Sequence, residues 1–255
     1  MILSLNQVQL SYQTGRQASV PAPQNIDLEI QPGQVMAILG PNGTGKSSLL
    51  KVARGEIKPQ AGEVRLNGQL LSAMPAGEKA LHMAVLPQHS LLNFPFTVAD
   101  VVMLGRTPHN TGLAVDQEIV LAALQSTDAH YLRDKIYTNL SGGEKQRVQL
   151  ARVLAQVSQS EDQRGRIVIL DEPTSALDYS HQQLVAKILR ERAAQGCAVL
   201  TAMHDLNLAA QCADQLVLVS CGQIYAQGAP DHVLQETLLH DVFQVTFHRV
   251  IHPQT

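Results

Sequence analysis

Hydrophobic and polar residues alternate along two stretches near the N-terminus. The apolar positions of these stretches are Val8, Leu10 and Tyr12, followed by Ile26, Leu28 and Ile30. A two-residue period is typical of a strand with one buried face, so the pattern predicts half-buried antiparallel strands. Farther along, Asn67 and Gly68 follow an apolar run and readily take the positive φ angles of a tight turn, which predicts a hairpin.

Other stretches are apolar throughout, as expected for strands that are covered on both faces. They lie at residues 35–39, 167–170, 198–203 and 216–219. Thr97 and Asp100 have the spacing of a helix capping box and precede apolar positions at helical spacing, so residues 89–160 are predicted to form a helical insertion. Apolar strands that alternate with helices predict an α/β fold, with a mainly parallel sheet and helices on both faces.

A glycine-rich loop follows the first apolar strand and precedes a helical pattern. Its residues match GxxxxGK followed by Ser or Thr, and they are Gly40, Pro41, Asn42, Gly43, Thr44, Gly45, Lys46 and Ser47, with Ser48 next. Glycines there let backbone N–H groups surround phosphate oxygens, and the helix N-terminus adds its dipole. Lys46 is suited to reach the β and γ phosphates and Ser47 to ligate Mg²⁺. The loop predicts a nucleotide phosphate site, with a chance glycine turn as the alternative.

Two carboxylates follow the second apolar strand. Asp171 and Glu172 stand at its carboxyl end, which is the edge where parallel α/β sheets bind ligands. Asp171 is suited to hold Mg²⁺, and Glu172 to orient or deprotonate an attacking water. The alternative is a strand that simply ends in solvated acids, and the nearby phosphate loop argues against it.

A third motif opens an amphipathic helix. It reads Leu140, Ser141, Gly142, Gly143 and Glu144. Ser141 and Glu144 have capping-box spacing, and the two glycines expose backbone at the positive end of the helix. The motif predicts a second anion site, although a well-capped helix without a ligand would have the same pattern.

Together these motifs resemble those of the ATP-binding cassette (ABC) ATPases, whose signature is LSGGQ or LSGGE. The resemblance implies a RecA-like nucleotide-binding core, an N-terminal antiparallel β subdomain and an inserted α-helical subdomain. It implies one ATPase domain over residues 1–255, in which residues 89–160 carry the signature. It also implies that two subunits pair head to tail, so that the signature of one closes on the γ phosphate held by the other.

The resemblance assigns roles to further residues. Tyr12 resembles the aromatic residue that stacks on adenine, although a strand tyrosine is more often used in packing. Gln88 resembles the glutamine that senses Mg²⁺ and water, Asp178 lies in the loop that communicates across the dimer, and His204 resembles the switch histidine. The implied catalytic residues are Glu172, His204, Gln88 and Lys46, and the implied Mg²⁺ ligands are Ser47, Gln88 and Asp171.

Composition narrows the class of partner. The 255 residues include 19 basic and 22 acidic side chains, for a net charge of −3, which argues against a nucleic-acid partner bound through counterion release. No stretch reaches the roughly 18 consecutive apolar residues that span a bilayer. A membrane partner of this ATPase therefore has to be a separate polypeptide. Three cysteines without metal-site spacing are typical of a reducing compartment.

One segment points to a subgroup of the family. Residues 91–102, followed by Gly105, Arg106, Thr107, Pro108 and His109, resemble importers of iron chelates, haem and cobalamin. Within that group, the insertion at residues 159–166, the run 172–178 and the tail 242–252 most resemble bacterial haemin importers. The resemblance implies a homodimer with two transmembrane permease subunits and a periplasmic substrate-binding protein, at the cytoplasmic face of the inner membrane. Phe94 and Phe96 fit either a permease socket or a hydrophobic core. The alternative is a soluble ABC ATPase, as in iron–sulfur cluster assembly.

Overall fold

The computed structural model describes residues 1–10, 22–88, 92–158, 163–248 and 250. The strands are β1 Leu3–Gln9, β2 Ile26–Ile30, β3 Val35–Leu39, β4 Ala61–Leu66, β5 Gln69–Leu70, β6 Met83–Leu86, β7 Ile167–Asp171, β8 Ala198–Ala202, β9 Gln215–Ser220 and β10 Gln223–Gly228. The helices are α1 Lys46–Ala53, α2 Ala76–His82, α3 Val98–Met103, α4 Leu113–Ser126, α5 Gly142–Val157, α6 Tyr179–Ala194, α7 Leu206–Cys212, α8 Pro230–Val233 and α9 Glu236–Phe243. Short 3₁₀ turns lie at Leu71–Ala73, Leu104–Arg106, His130–Leu132 and Tyr137–Asn139.

The larger sheet has six strands in the order β10-β9-β3-β8-β7-β6. The strands from β9 to β6 are parallel to their neighbours, and β10 pairs antiparallel with β9. The predicted α/β fold with a mainly parallel sheet is confirmed. Because the strands are parallel, the carboxyl ends of β3, β8, β7 and β6 share one edge, where ligand sites of such sheets form.

The two faces of this sheet are covered differently. Val35, Ala37 and Leu39 of β3 belong to a buried cluster with residues of α5, α6 and α7. The intervening Met36 and Ile38 belong to a second cluster, with residues of α1 and of the strands β1, β2 and β4. The prediction of helices on both faces is therefore incomplete, because one face is covered by α1 and a second sheet.

That second sheet is antiparallel, in the order β2-β1-β4-β5. Leu3, Leu5 and Val8 are all buried although their spacing breaks the two-residue alternation. The pairing register of β1 shifts between Leu5 and Val8, and Gln7 there has φ 49°. This bulge returns the apolar side chains to the core face, so β1 extends farther toward the N-terminus than simple alternation indicates. The hairpin predicted at residues 67–68 is confirmed between β4 and β5.

Helices α3, α4 and α5 follow one another between β6 and β7. Both predicted capping boxes are present. Thr97 caps α3 together with Asp100, and Ser141 caps α5 together with Glu144. Among the described residues, every helix is too short or too polar to span a bilayer.

Arg106 joins this helical segment to the end of α5. Its side chain is 2% exposed, and its Nε donates to Asp116 Oδ1 at 2.8 Å. Its Nη1 donates to the carbonyl oxygens of Ala155 and Ser158, each at 2.7 Å. A cation at the C-terminus of a helix satisfies carbonyl groups that have no intrahelical partner. Arg106 is therefore a buried anchor for α5.

We expect Arg106→Met to destabilise the protein by about 3–5 kcal/mol, because Asp116 and the carbonyl groups at the end of α5 lose a buried charged donor. For a chain of this length, that loss corresponds to a melting temperature lower by roughly 10 °C. Thermal unfolding followed by circular dichroism measures it. The matched control is Arg133→Met, because the Arg133 side chain is 54% exposed and its nearest carboxylate oxygen is 4.0 Å away. Equal melting temperatures for the two variants would contradict the anchoring role.

Candidate functional site

The glycine-rich loop connects β3 to α1 at the carboxyl edge of the larger sheet. Gly40 has φ 149°, and a Cβ there would lie 2.3 Å from the carbonyl oxygen of Val219, so only glycine fits. Thr44 Oγ1 donates to the carbonyl oxygen of Pro41 at 2.9 Å and closes the turn. The loop is therefore preorganised around the N-terminus of α1.

Lys46 is the first residue of α1, and its side chain turns back over the loop. Its Nζ donates to the carbonyl oxygens of Gly40 at 2.7 Å and Pro41 at 2.8 Å. Burial lowers the pKa of the Lys46 amine, and the charges of Glu172 and Asp171 oppose that shift. The loop therefore holds a cation next to its backbone N–H groups, which is the arrangement that suits a polyphosphate.

Asp171 ends β7 and is 3% exposed. Ser47 Oγ lies 3.3 Å from Asp171 Oδ1, so the hydroxyl of α1 and the carboxylate of β7 face each other. Burial raises the pKa of the Asp171 carboxyl, the charge of Glu172 raises it further, and the hydrogen bond from Ser47 opposes the shift. A hydroxyl and a carboxylate beside a phosphate loop are the hard oxygen donors that Mg²⁺ prefers, so these residues fit that ion.

Glu172 is contacted by side chains that follow the two strands on either side of β7. Its Oε1 is 2.5 Å from His204 Nε2, and its Oε2 accepts a hydrogen bond from Gln88 Nε2 at 3.0 Å. Gln88 follows β6 and His204 follows β8, on either side of β7. The Glu172 side chain is 14% exposed, and its backbone has φ 53°. Parallel pairing thus brings together three side chains that are far apart in the sequence.

These residues enclose one cavity of about 370 Å³. Its lining residues are Asn42, Gly43, Gly45, Lys46, Ser47, Ser48, Gln88, Glu172 and His204. Asp171 lies behind Ser47, and Gly40, Pro41 and Thr44 form the rest of the loop. Larger cavities exist elsewhere, but this one joins a phosphate loop to a carboxylate that is held by two hydrogen-bonding side chains. Tyr12 lies outside the described residues.

The signature residues lie at a different place. Ser141, Gly143 and Glu144 line a cavity of about 310 Å³ together with Asp178, the N-cap of α6. Hydrogen bonds from Ser141 lower the pKa of the Glu144 carboxyl. Gly142 begins α5 beside this cavity. Over the described part of the chain, this signature cavity and the phosphate cavity have no lining residue in common.

Two residues of the signature cavity were not predicted from the sequence. Arg147 and His181 line it on α5 and α6. The three-residue spacing from Asp178 to His181 is a local signal for a side chain that reaches its own N-cap. Nothing local identifies Arg147, because its partner Asp128 is 19 residues away.

Phe94 and Phe96 are exposed, by 67% and 41%, with ring centroids 6.0 Å apart. The interpretation of these two residues as core is therefore wrong. An exposed aromatic pair is a feature of binding surfaces, and the permease socket remains a prediction.

The fold and this site define a P-loop nucleotide-binding protein. A model of the ABC transporter family matches residues 23–175. The Hemin import ATP-binding protein HmuV of Pseudomonas entomophila is 49% identical over 230 residues, with 90% of this chain and 89% of the relative covered. The chain therefore belongs to the ABC transporter family, as its motifs predicted.

Two solved structures share the fold. An ATP-binding subunit of an ABC transporter matches with a TM-score of 0.80 and 21% identity, over 96% of this chain and 98% of that one. A dimeric bacterial ABC transporter cassette matches with a TM-score of 0.77 and 23% identity, over 90% of this chain and 99% of that one. At these identities the likeness shows the fold alone.

We expect Lys46→Ala to weaken ATP binding by roughly 10- to 100-fold, because a hydrogen bond to a charged group contributes about 1.5–3 kcal/mol. Titration with a fluorescent ATP analogue measures the affinity, and phosphate release measures turnover. Lys187→Ala is the matched control, since the Lys187 side chain is 72% exposed and pairs with Glu191 on α6. An unchanged ATP affinity in Lys46→Ala would contradict the role of this amine.

Proposed function

We propose that this protein is the ATPase subunit of a haemin importer, in which ATP binding and hydrolysis drive uptake through a separate permease. ATP hydrolysis is supported by the placement of Glu172, which His204 and Gln88 hold beside the phosphate loop. The relative from Pseudomonas entomophila, named for hemin import, supports the choice of cargo. Iron–sulfur cluster assembly stays an alternative that no observation favours.

The phosphate loop binds and orients the nucleotide. Its backbone N–H groups, the N-terminus of α1 and Lys46 supply positive potential to the phosphate oxygens. Ser47 and Asp171 would hold Mg²⁺, with Gln88 offering a further oxygen at the cavity edge. When bound, this ion neutralises charge on the β and γ phosphates.

Glu172 is the general base. Each of its carboxylate oxygens accepts one hydrogen bond and keeps a further lone pair for the proton of an attacking water. Gln88 and His204 fix both oxygens, so the base faces one direction in the cavity. His204 also lines the phosphate cavity, and it resembles the family's switch histidine, which contacts the γ phosphate.

The signature acts on the partner subunit's nucleotide. In one subunit it lines a cavity separate from its own phosphate loop, so pairing head to tail is what completes two sites. Exposed Gly142 and half-buried Gly143, at the start of the 16-residue helix α5, supply backbone N–H donors to the γ phosphate. A dimeric ABC transporter cassette has the same fold.

The permease binds the helical segment between β6 and β7. Phe94 and Phe96 provide an exposed aromatic anchor for it. In this assembly two ATPase subunits join two transmembrane permease subunits at the cytoplasmic face of the inner membrane. A periplasmic substrate-binding protein delivers the cargo.

Deletion of the gene tests the cargo. Cells that lack the protein should fail to grow on haemin as the sole iron source and should grow normally on a ferric salt. The wild-type gene should restore growth on haemin, and the Lys46→Ala gene should not. The tagged protein should also purify in stoichiometric complex with a polytopic membrane protein. Normal growth on haemin, or a complex with a soluble scaffold only, would contradict the proposal.

A further inference from the structure

We infer that His181 is a positioning residue that fixes Asp178 against the signature helix α5, and so sets the geometry of the surface that closes on the partner subunit. This inference rests on the head-to-tail dimer of the proposed function. It adds a connection inside one subunit, from Asp178 through His181 and Asp128 to Arg147, here called the relay.

The ring of His181 stands between two carboxylates. Its Nδ1 is 2.8 Å from Asp178 Oδ1, and its Nε2 is 3.4 Å from Asp128 Oδ2. Asp178 belongs to the N-cap of α6, whereas Asp128 follows α4, 53 residues away from His181 in sequence. The His181 side chain is 23% exposed, so partial burial strengthens these contacts relative to a fully solvated pair.

Asp178 is held in a single orientation by groups of its own helix. Its Oδ1 accepts hydrogen bonds from the backbone N–H of His181 at 2.9 Å and from Ser180 Oγ at 2.8 Å, in addition to the His181 ring. The backbone hydrogen bond from His181 is the largest of the effects that lower the pKa of the Asp178 carboxyl to about 2. Asp178 is therefore an anion throughout the neutral pH range, and the His181 ring adds a third contact to those of the Ser180 hydroxyl and the His181 backbone N–H.

The other end of the relay lies on the signature helix. Arg147 Nη1 donates to the carbonyl oxygen of Asp128 and lies 3.2 Å from Asp128 Oδ2. Arg147 Nη2 donates to Tyr131 Oη at 2.8 Å. Arg147 is 6% exposed and is on the same helix as the signature glycines, so the relay is fixed to α5 by a buried cation.

A second contact ties the beginning of the same loop to α5. Gln146 Nε2 lies 3.4 Å from the carbonyl oxygen of Glu172, six residues before Asp178. At Gly143, a Cβ would be 3.0 Å from the carbonyl oxygen of Ala176, so the start of α5 lies directly against this loop. The segment from Glu172 to His181 is thus joined to α5 at both of its ends. Any rotation of α5 then moves Asp178 along with Ser141.

Sedimentation velocity in the Glu172→Gln background tests the relay, because a subunit that binds ATP without hydrolysing it accumulates as the closed dimer. We expect His181→Ala to weaken ATP-driven dimerisation roughly five- to tenfold, since the contacts of the His181 ring with two carboxylates at a partly exposed site are lost. ATP affinity of the monomer should stay unchanged, because His181 does not line the phosphate cavity. His232→Ala, at an exposed histidine of α8, is the matched control and should dimerise like the parent.

A double-mutant cycle separates the relay from general loss of packing. Asp128→Ala should weaken dimerisation as His181→Ala does, and the double variant should be no weaker than either one. His181→Asn keeps a donor near Asp178 and should recover part of the affinity. Additive losses, or equal dimerisation by His181→Ala and the parent, would overturn the relay. If the Glu172→Gln parent itself stays monomeric with ATP, the head-to-tail dimer is wrong and the relay fails with it.

Discussion

Glu172→Gln is expected to lower ATP turnover at least about 100-fold, because removing a general base costs roughly 10²–10⁴ in rate. Glutamine has the shape of glutamate and accepts the hydrogen bond from Gln88, but it does not take up a proton at neutral pH. ATP affinity should therefore remain within about threefold of the wild-type value, since the phosphate loop and Lys46 are untouched. Phosphate release and nucleotide titration measure the two quantities on the same preparation.

The control for this variant is the same substitution at another glutamate. Glu191→Gln removes an equal charge on α6, at a side chain that is 51% exposed. It should leave turnover unchanged. Wild-type turnover in Glu172→Gln would show that a different group accepts the proton. Loss of ATP binding in that variant would show instead that the carboxylate serves to hold the nucleotide.

Ser141→Arg is expected to abolish turnover as well, for a different reason. Ser141 is the N-cap of α5, where an arginine adds bulk to the surface proposed to meet the partner subunit and places a cation at the positive end of the helix. Losing the N-cap costs only about 1 kcal/mol, so the subunit should still fold. ATP binding by the monomer should persist, because Ser141 is absent from the lining of the phosphate cavity. Turnover and ATP-driven dimerisation should both fall below detection.

Ser141→Ala distinguishes the lost cap from the steric block. It removes the hydroxyl that accepts from the Glu144 backbone N–H, without adding bulk. Its loss of turnover should be much smaller than that of Ser141→Arg. Full turnover in Ser141→Arg would contradict the model in which the signature completes the partner subunit's site.

The phosphate loop, the acidic pair and the signature were predictable because each is contiguous in sequence. That the phosphate loop and the acidic pair lie close together follows from one further inference, because parallel strands bring their carboxyl ends to a single edge of the sheet. The contacts of Gln88 and His204 with Glu172 were not local, and only the family resemblance linked them in advance. The structure shows the physical reason, since β6 and β8 are the two neighbours of β7.

What the sequence did not reveal depends on distant contacts or on irregular backbone. Arg106 lies in a stretch interpreted as part of an importer motif, yet its buried guanidinium anchors the end of α5, through carbonyl oxygens about 50 residues later in the chain. His181 contacts Asp128 across a similar separation. The bulge at Gln7 hides the start of β1, because it reverses the side-chain alternation on which strand prediction depends.

Glu172 has a left-handed backbone conformation, which favours glycine, although the proposed chemistry requires the carboxylate at this position. A side chain other than glycine in that conformation costs about 1–2 kcal/mol, and glycine there avoids the cost. Glycine at position 172 would relax the backbone and remove the carboxylate at the same time. The backbone strain at this position thus opposes the glutamate, whereas turnover and the contacts with Gln88 and His204 retain it. Thermostabilised variants of this protein need to be screened for hydrolysis, because one local source of backbone strain lies at the proposed base.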